Sequence, residues 1–124
     1  MKQEINTQNA PSPIGPYSQG ILSGNTLYMS GQIALSPETG ELITKGIEEE
    51  THQVMCNIQA VLIQAGMTMD NIVKCSIFIS DMKNFAEINA VYGSYFEGIS
   101  PARETVEVSR LPKDVNVEIS VIAV

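Results

Sequence analysis

The chain has 124 residues, of which 44% are hydrophobic and 17% charged, with a formal net charge of -7; this bounds it to one folded domain rather than a disordered segment. The negative balance argues against non-specific attraction to nucleic acid or acidic membranes, both of which need a basic patch, yet it leaves room for a small anion held by a few local cations. Cys56 and Cys75 form no CxxC pair and have no histidine pair nearby, so no metal site or disulfide framework is expected and both read as small buried hydrophobes.

No apolar stretch reaches membrane-spanning length, and no basic start followed by an apolar run suggests a signal peptide, so a soluble cytoplasmic protein is expected. Lys2 to Ile5 reads as a short strand. Asn9 to Pro16 is a loop stiffened by Pro11, Pro13 and Pro16. Tyr17 to Leu22 and Thr26 to Ile33 read as two strands of a hairpin turning at Ser23-Gly24-Asn25. Gly31 interrupts the second strand, which marks either a packing bulge or a close approach by a ligand or another backbone. Gly46 to Ala65 is the first helix: Ile47, Val54, Met55, Ile58, Val61, Leu62 and Ala65 form one apolar stripe, and Glu48, Glu49 and Glu50 favour its N-terminus. His52, the single histidine, lies off that stripe and reads as a solvated helix residue.

Asn71 to Ser80 is a β-branched strand, with Val73, Cys75, Ile77 and Ile79 expected on one face and Ile72 and Phe78 on the other. Asp81 is placed to cap a second helix from about Met82 to Phe96, whose apolar face includes Phe85, Ile88 and Tyr92. Asn89 falls beside that face. Pro101 opens a strand in which Arg103, Thr105 and Glu107 alternate with Glu104, Val106 and Val108. Leu111 to Asp114 is a tight connection, and Val115 to Val124 is the last strand, carrying Glu118 in an otherwise apolar run.

Two readings of Arg103 stand side by side. It is a surface arginine pairing with Glu104 or Glu107, or a fixed guanidinium that grips a carboxylate with two parallel hydrogen bonds. Glu118 sharpens the choice, because burying a carboxylate without a partner is costly. If the last two strands form a hairpin centred near Leu111 and Pro112, Thr105 stands opposite Glu118 with Arg103 diagonal to it. Those three side chains would then ring a space for a small acid and one water, or Arg103 and Glu118 would simply pair.

Four separated motifs give the chain a wider resemblance. They are Ile14-Gly15-Pro16-Tyr17-Ser18-Gln19; Ser30-Gly31-Gln32; Phe85-Ala86-Glu87-Ile88-Asn89; and Pro101-Ala102-Arg103 with Val106 to Pro112 and Val117-Glu118-Ile119. On these, over nearly its whole length, the chain resembles the Rid family of reactive-intermediate imine deaminases, the YjgF-like proteins, and most closely the RidA subgroup. The resemblance implies a single α+β domain over residues 1–124, with a chorismate-mutase-like fold: one mixed β-sheet with two helices packed on one face. It implies a homotrimer with sites in the clefts between subunits and no cofactor, while the acidic balance argues against a nucleic-acid or membrane partner. The implied reaction is hydrolysis of 2-imino acids, formed from enamines such as 2-aminoacrylate, to 2-keto acids and ammonia. By matching position, Arg103 would bind the substrate carboxylate and Glu118 would activate water, while Tyr17, Ser30, Gly31, Asn89 and Thr105 would line the pocket. RidA-type members commonly carry a cysteine where this chain has Thr105, and the loop from Glu97 to Ser100 looks shorter than usual. The alternative is a keto-acid-binding regulatory module without significant catalysis.

Overall fold

The computed structural model describes residues 1–124. Six strands and two α-helices follow in the order β1 (Lys2–Ile5), β2 (Gly20–Ser23), β3 (Thr26–Met29), α1 (Ile47–Gln64), β4 (Ile72–Ile79), α2 (Phe85–Gly93), β5 (Ala102–Glu107) and β6 (Val117–Ala123). The strands form one mixed sheet in the order β1-β2-β3-β6-β4-β5, antiparallel except for the β4–β5 pair.

Both helices cover one face. The stripe of α1 places Val54, Met55, Ile58, Val61 and Leu62 against Leu27, Cys75, Ile77, Ile119 and Val121, and α2 adds Ile88 and Tyr92 to the same core. Glu50, fully buried in the first turn of α1, accepts hydrogen bonds from the Asn116 backbone N–H and side-chain amide, each at 2.7 Å. This carboxylate pins α1 to the start of β6. The other face is open, with a small apolar cluster of Ile33, Leu35, Leu111 and Val115 at one end, against which Phe78 packs.

Several local expectations change. The pairing of β4 with β6 shifts between Ile72 and Lys74, so Ile72 turns into the core and Val73 is exposed, the reverse of simple alternation. β3 stops at Met29 and α2 at Gly93, where the Ser94 hydroxyl turns back to the Val91 carbonyl at 2.6 Å. Tyr17, Ser18 and Gln19 precede β2 instead of belonging to it. Cys75 is buried, but Cys56 is exposed.

The larger correction concerns the last two strands, which are not a hairpin. α2 returns the chain so that β5 runs parallel to β4 at the sheet edge, as a strand–helix–strand crossover requires. The connection from Val108 to Asn116 then carries the chain past β4, and β6 enters between β3 and β4. Thr105 therefore faces Ile77, Glu118 faces Phe78, and β4 separates the two strands.

Candidate active site

Strand register decides which side chains can meet. Arg103 pairs with Cys75 and Thr105 with Ile77, both on the helix-covered face. Glu118 pairs with Phe78 on the open face. The expected residues thus divide into two groups on opposite sides of the sheet.

The first group surrounds Glu118 in a cleft of about 310 Å³ lined by Ile14, Tyr17, Ser30, Gly31, Ile33, Pro112 and Glu118. Its walls are fixed by the backbone. The Ser30 N–H donates to the Gln19 carbonyl at 2.9 Å and its hydroxyl to the Ser18 carbonyl at 2.5 Å. Gln32 exchanges two backbone hydrogen bonds with Ile119, at 2.8 and 3.1 Å. Ser30 and Gly31 are therefore held between two tied points, directly over β6. A Cβ built on Gly31 would lie 2.7 Å from Glu118 Oε2. The approach at this glycine is close, but what approaches is the Glu118 side chain and not a ligand or another backbone.

The proline-rich loop is anchored by a residue whose role the sequence did not betray. Gln19 is buried, accepts from the Thr7 N–H at 2.8 Å, and donates to the carbonyls of Thr7, Ala10 and Pro11 at 3.0, 3.3 and 2.9 Å. The Tyr17 hydroxyl accepts from the Ile14 N–H at 3.3 Å. The one signal was a glutamine between a rigid loop and a strand. Glu118 itself is half-buried and makes no ion pair within the chain. Burial raises its carboxyl pKa above the ordinary value of 4.5.

The second group surrounds Arg103 at the sheet edge. Its Nη1 donates to Asn89 Oδ1 at 2.6 Å. The guanidinium carbon lies 5.0 Å from the Tyr92 ring centre and 5.8 Å from that of Phe85. Phe85, Asn89 and Tyr92 are spaced four and three residues apart, so α2 presents them in one row. Neither expected surface partner takes up the arginine. Glu104, on the open face, pairs with Lys74 at 3.0 Å and accepts from Ser76. Those contacts, the Ser76 hydrogen bond first, hold its pKa low. Glu107 accepts from the Met82 N–H at 2.7 Å. Arg103 thus keeps an uncompensated charge in an acidic chain. Two residues on, the Thr105 hydroxyl is buried without a hydrogen-bond partner.

No three His, Cys, Asp or Glu side chains converge in a way that would hold a metal ion. His52 stands apart from both groups, with Nδ1 2.8 Å from the Tyr95 hydroxyl. No helix is long and apolar enough to cross a membrane.

Comparison with known proteins covers nearly the whole chain. A family model described as Endoribonuclease L-PSP matches residues 7–124. A RutC family protein of Pyrococcus horikoshii is 50% identical, over 99% of this chain and 98% of its own length. A 2-iminobutanoate/2-iminopropanoate deaminase of Mus musculus is 40% identical, over 100% of this chain and 92% of its own. Among solved structures, the Rid-family protein YyfA of Yersinia pestis has a TM-score of 0.97 at 56% identity, covering 99% of this chain and 98% of that one. TdcF of E. coli with bound serine has a TM-score of 0.95 at 41% identity, covering 98% of each.

Proposed function

Because the chain belongs to the Endoribonuclease L-PSP family, the group of YjgF and Rid proteins, we propose that it hydrolyses 2-imino acids to 2-keto acids and ammonia. The observation that carries this reading is the uncompensated Arg103, held on a rigid strand and offered no carboxylate by its own chain. A small organic acid supplies the missing anion in the planar, two-pronged form a guanidinium fits. The mouse relative is named for this reaction, and TdcF was solved with an amino acid bound.

The chemistry asks little of the protein. An imine carbon is already electrophilic, so fixing the carboxylate and presenting one water supplies proximity and orientation. In this reading Glu118, left bare and poorly solvated, takes a proton from that water as its oxygen bonds to the imine carbon. The C=N pair moves onto nitrogen, which takes that proton from Glu118 to give the carbinolamine; the hydroxyl proton then passes through Glu118 to the same nitrogen as the C–N bond breaks, leaving the keto acid and ammonia. Gly31, having no side chain, leaves room for the Glu118 carboxylate that presents the water, and Tyr17, Ser30 and the apolar Ile14 and Ile33 enclose the rest. Asn89 and the Thr105 main chain serve the carboxylate end.

Arg103 and Glu118 act on one substrate only if different copies supply them. The open face of one chain would meet the β5 edge of the next, and repeating that head-to-tail contact closes a ring. We take the ring to be a homotrimer with three equivalent clefts. Substrates would be enamine-derived imines, 2-aminoacrylate among their precursors, released by pyridoxal-phosphate enzymes in the cytoplasm.

The test is ammonia and keto-acid release from freshly generated 2-aminoacrylate. Acceleration over the spontaneous rate by the wild type, lost in Arg103→Ala, supports the assignment; equal acceleration by both disproves it. The same arginine also suits a regulatory keto-acid-binding module. Saturable binding of a keto acid with no acceleration would establish that reading instead.

A further inference from the structure

We infer that Tyr92 is a positioning residue for Arg103, fixing the carboxylate-binding guanidinium through the face of its aromatic ring; this rests on the imine-hydrolase reading above. Arg103 lies on an edge strand, and its side chain has one hydrogen-bonded anchor, Nη1 on Asn89 at 2.6 Å. One bond at one corner leaves the guanidinium plane free to turn. The remaining restraint comes from the two rings, both inside the range of about 6 Å over which a cation is drawn to an aromatic face.

The rings are not equivalent. Tyr92 is buried in the core, 5% exposed, and packs against Phe96 with ring centres 4.9 Å apart and planes tilted by 49°. Phe85 is only partly buried and lies farther from the cation. Tyr92 is therefore the fixed surface against which the guanidinium rests. Its hydroxyl is buried beside the Cys75 thiol and not at the guanidinium, so the ring face, with its negative quadrupole, is the part that meets the cation. Arg103 is held by a neutral amide and neutral rings, which orient it without consuming its charge. An incoming carboxylate meets a fork already aligned and pays less to order it.

The experiment separates ring electronics from ring shape. Tyr92→Phe is compared with phenylalanines of increasing ring fluorination at position 92, which weakens the quadrupole at nearly constant volume. KM and kcat are measured for the imine of 2-aminobutyrate, with Kd for 2-ketobutyrate and Tm for each variant. Tyr92→Phe should stay within about two-fold of wild type in KM and Kd, because the ring face survives. The most fluorinated ring should raise both about five-fold over the phenylalanine variant, with kcat and Tm little changed, since it loses binding common to ground and transition states. KM and Kd flat across the series, while Arg103→Ala weakens both, overturns the role of Tyr92 and leaves the carboxylate site standing. If Arg103→Ala also leaves Kd unchanged, the underlying reading fails with it.

Discussion

Within one chain, Arg103 and Glu118 lie on opposite faces of the sheet, with β4 between their strands. No side-chain rotation brings them together, so a site that uses both is composite. Variants in either residue should therefore complement each other. Arg103→Ala and Glu118→Gln are each expected to lose most activity. Co-refolded in equal amounts, they should recover up to about a quarter of wild-type turnover, the share of interfaces that joins one intact residue of each kind in a random mixture. No recovery, with mixed oligomers confirmed by native mass spectrometry, would place the whole reaction on one chain.

Glu118 is held in a poorly solvating place, and its carboxyl pKa is raised by burial. The folded chain then holds that proton more tightly than the unfolded one, so Glu118's contribution is favourable at low pH and is lost as pH rises through the raised value. At neutral pH the ionised group costs stability. Glu118→Gln should raise Tm at pH 7 while lowering kcat about a hundredfold or more. The Tm difference should shrink as the pH falls below the ordinary carboxylate range. A Tm that drops at pH 7 would contradict the desolvation argument.

Gly31 has ordinary backbone angles, and its importance is steric. A methyl group there would meet Glu118 at 2.7 Å from Oε2 and 2.8 Å from Cδ. The carboxylate is the mobile partner, so Gly31→Ala should displace it at a stability cost of about 1 kcal/mol, as for a side chain pushed off its rotamer. Activity should fall at least about tenfold through misplacement of the attacking water. Denaturant titration beside the ammonia assay checks both halves of that expectation.

Thr105 carries a buried hydroxyl with nothing to bond. Thr105→Val keeps the shape and removes the unmet polar group, so it should be neutral or stabilising by about 1 kcal/mol. Activity should persist, since the expected contact at this position is through the main chain. Loss of activity with an unchanged Tm would instead assign the hydroxyl a direct part in binding.

Much of the architecture was legible because the signals were local. The stripe of α1 fixed its span to within a residue at each end, and the alternation through Arg103 and Glu118 put each on its correct face within its own strand. What was not legible depended on distant pairing. Whether β5 and β6 form a hairpin or flank β4 turns on which edge the crossover helix leaves free, and nothing between Val108 and Asn116 declares that. The early end of β3 has a similar cause: Ser30 and Gly31 leave the ladder to pass over Glu118, 87 residues further on from Gly31. Tyr92 was legible as core but not as the support of a cation, because the spacing that sets it beside Phe85 and Asn89 describes any helix face. Only β5 lying against that face gives the row a purpose.

The open face has a practical consequence. Tyr28 on β3 and Val106 on β5 stand exposed on it, and the outer edge of β5 has no partner in the chain. Bare apolar surface and a free strand edge together make a sheet adhesive. If the proposed ring covers that face, variants that fail to close it should lose soluble yield before turnover, and a screen that counts soluble yield will register them as expression failures.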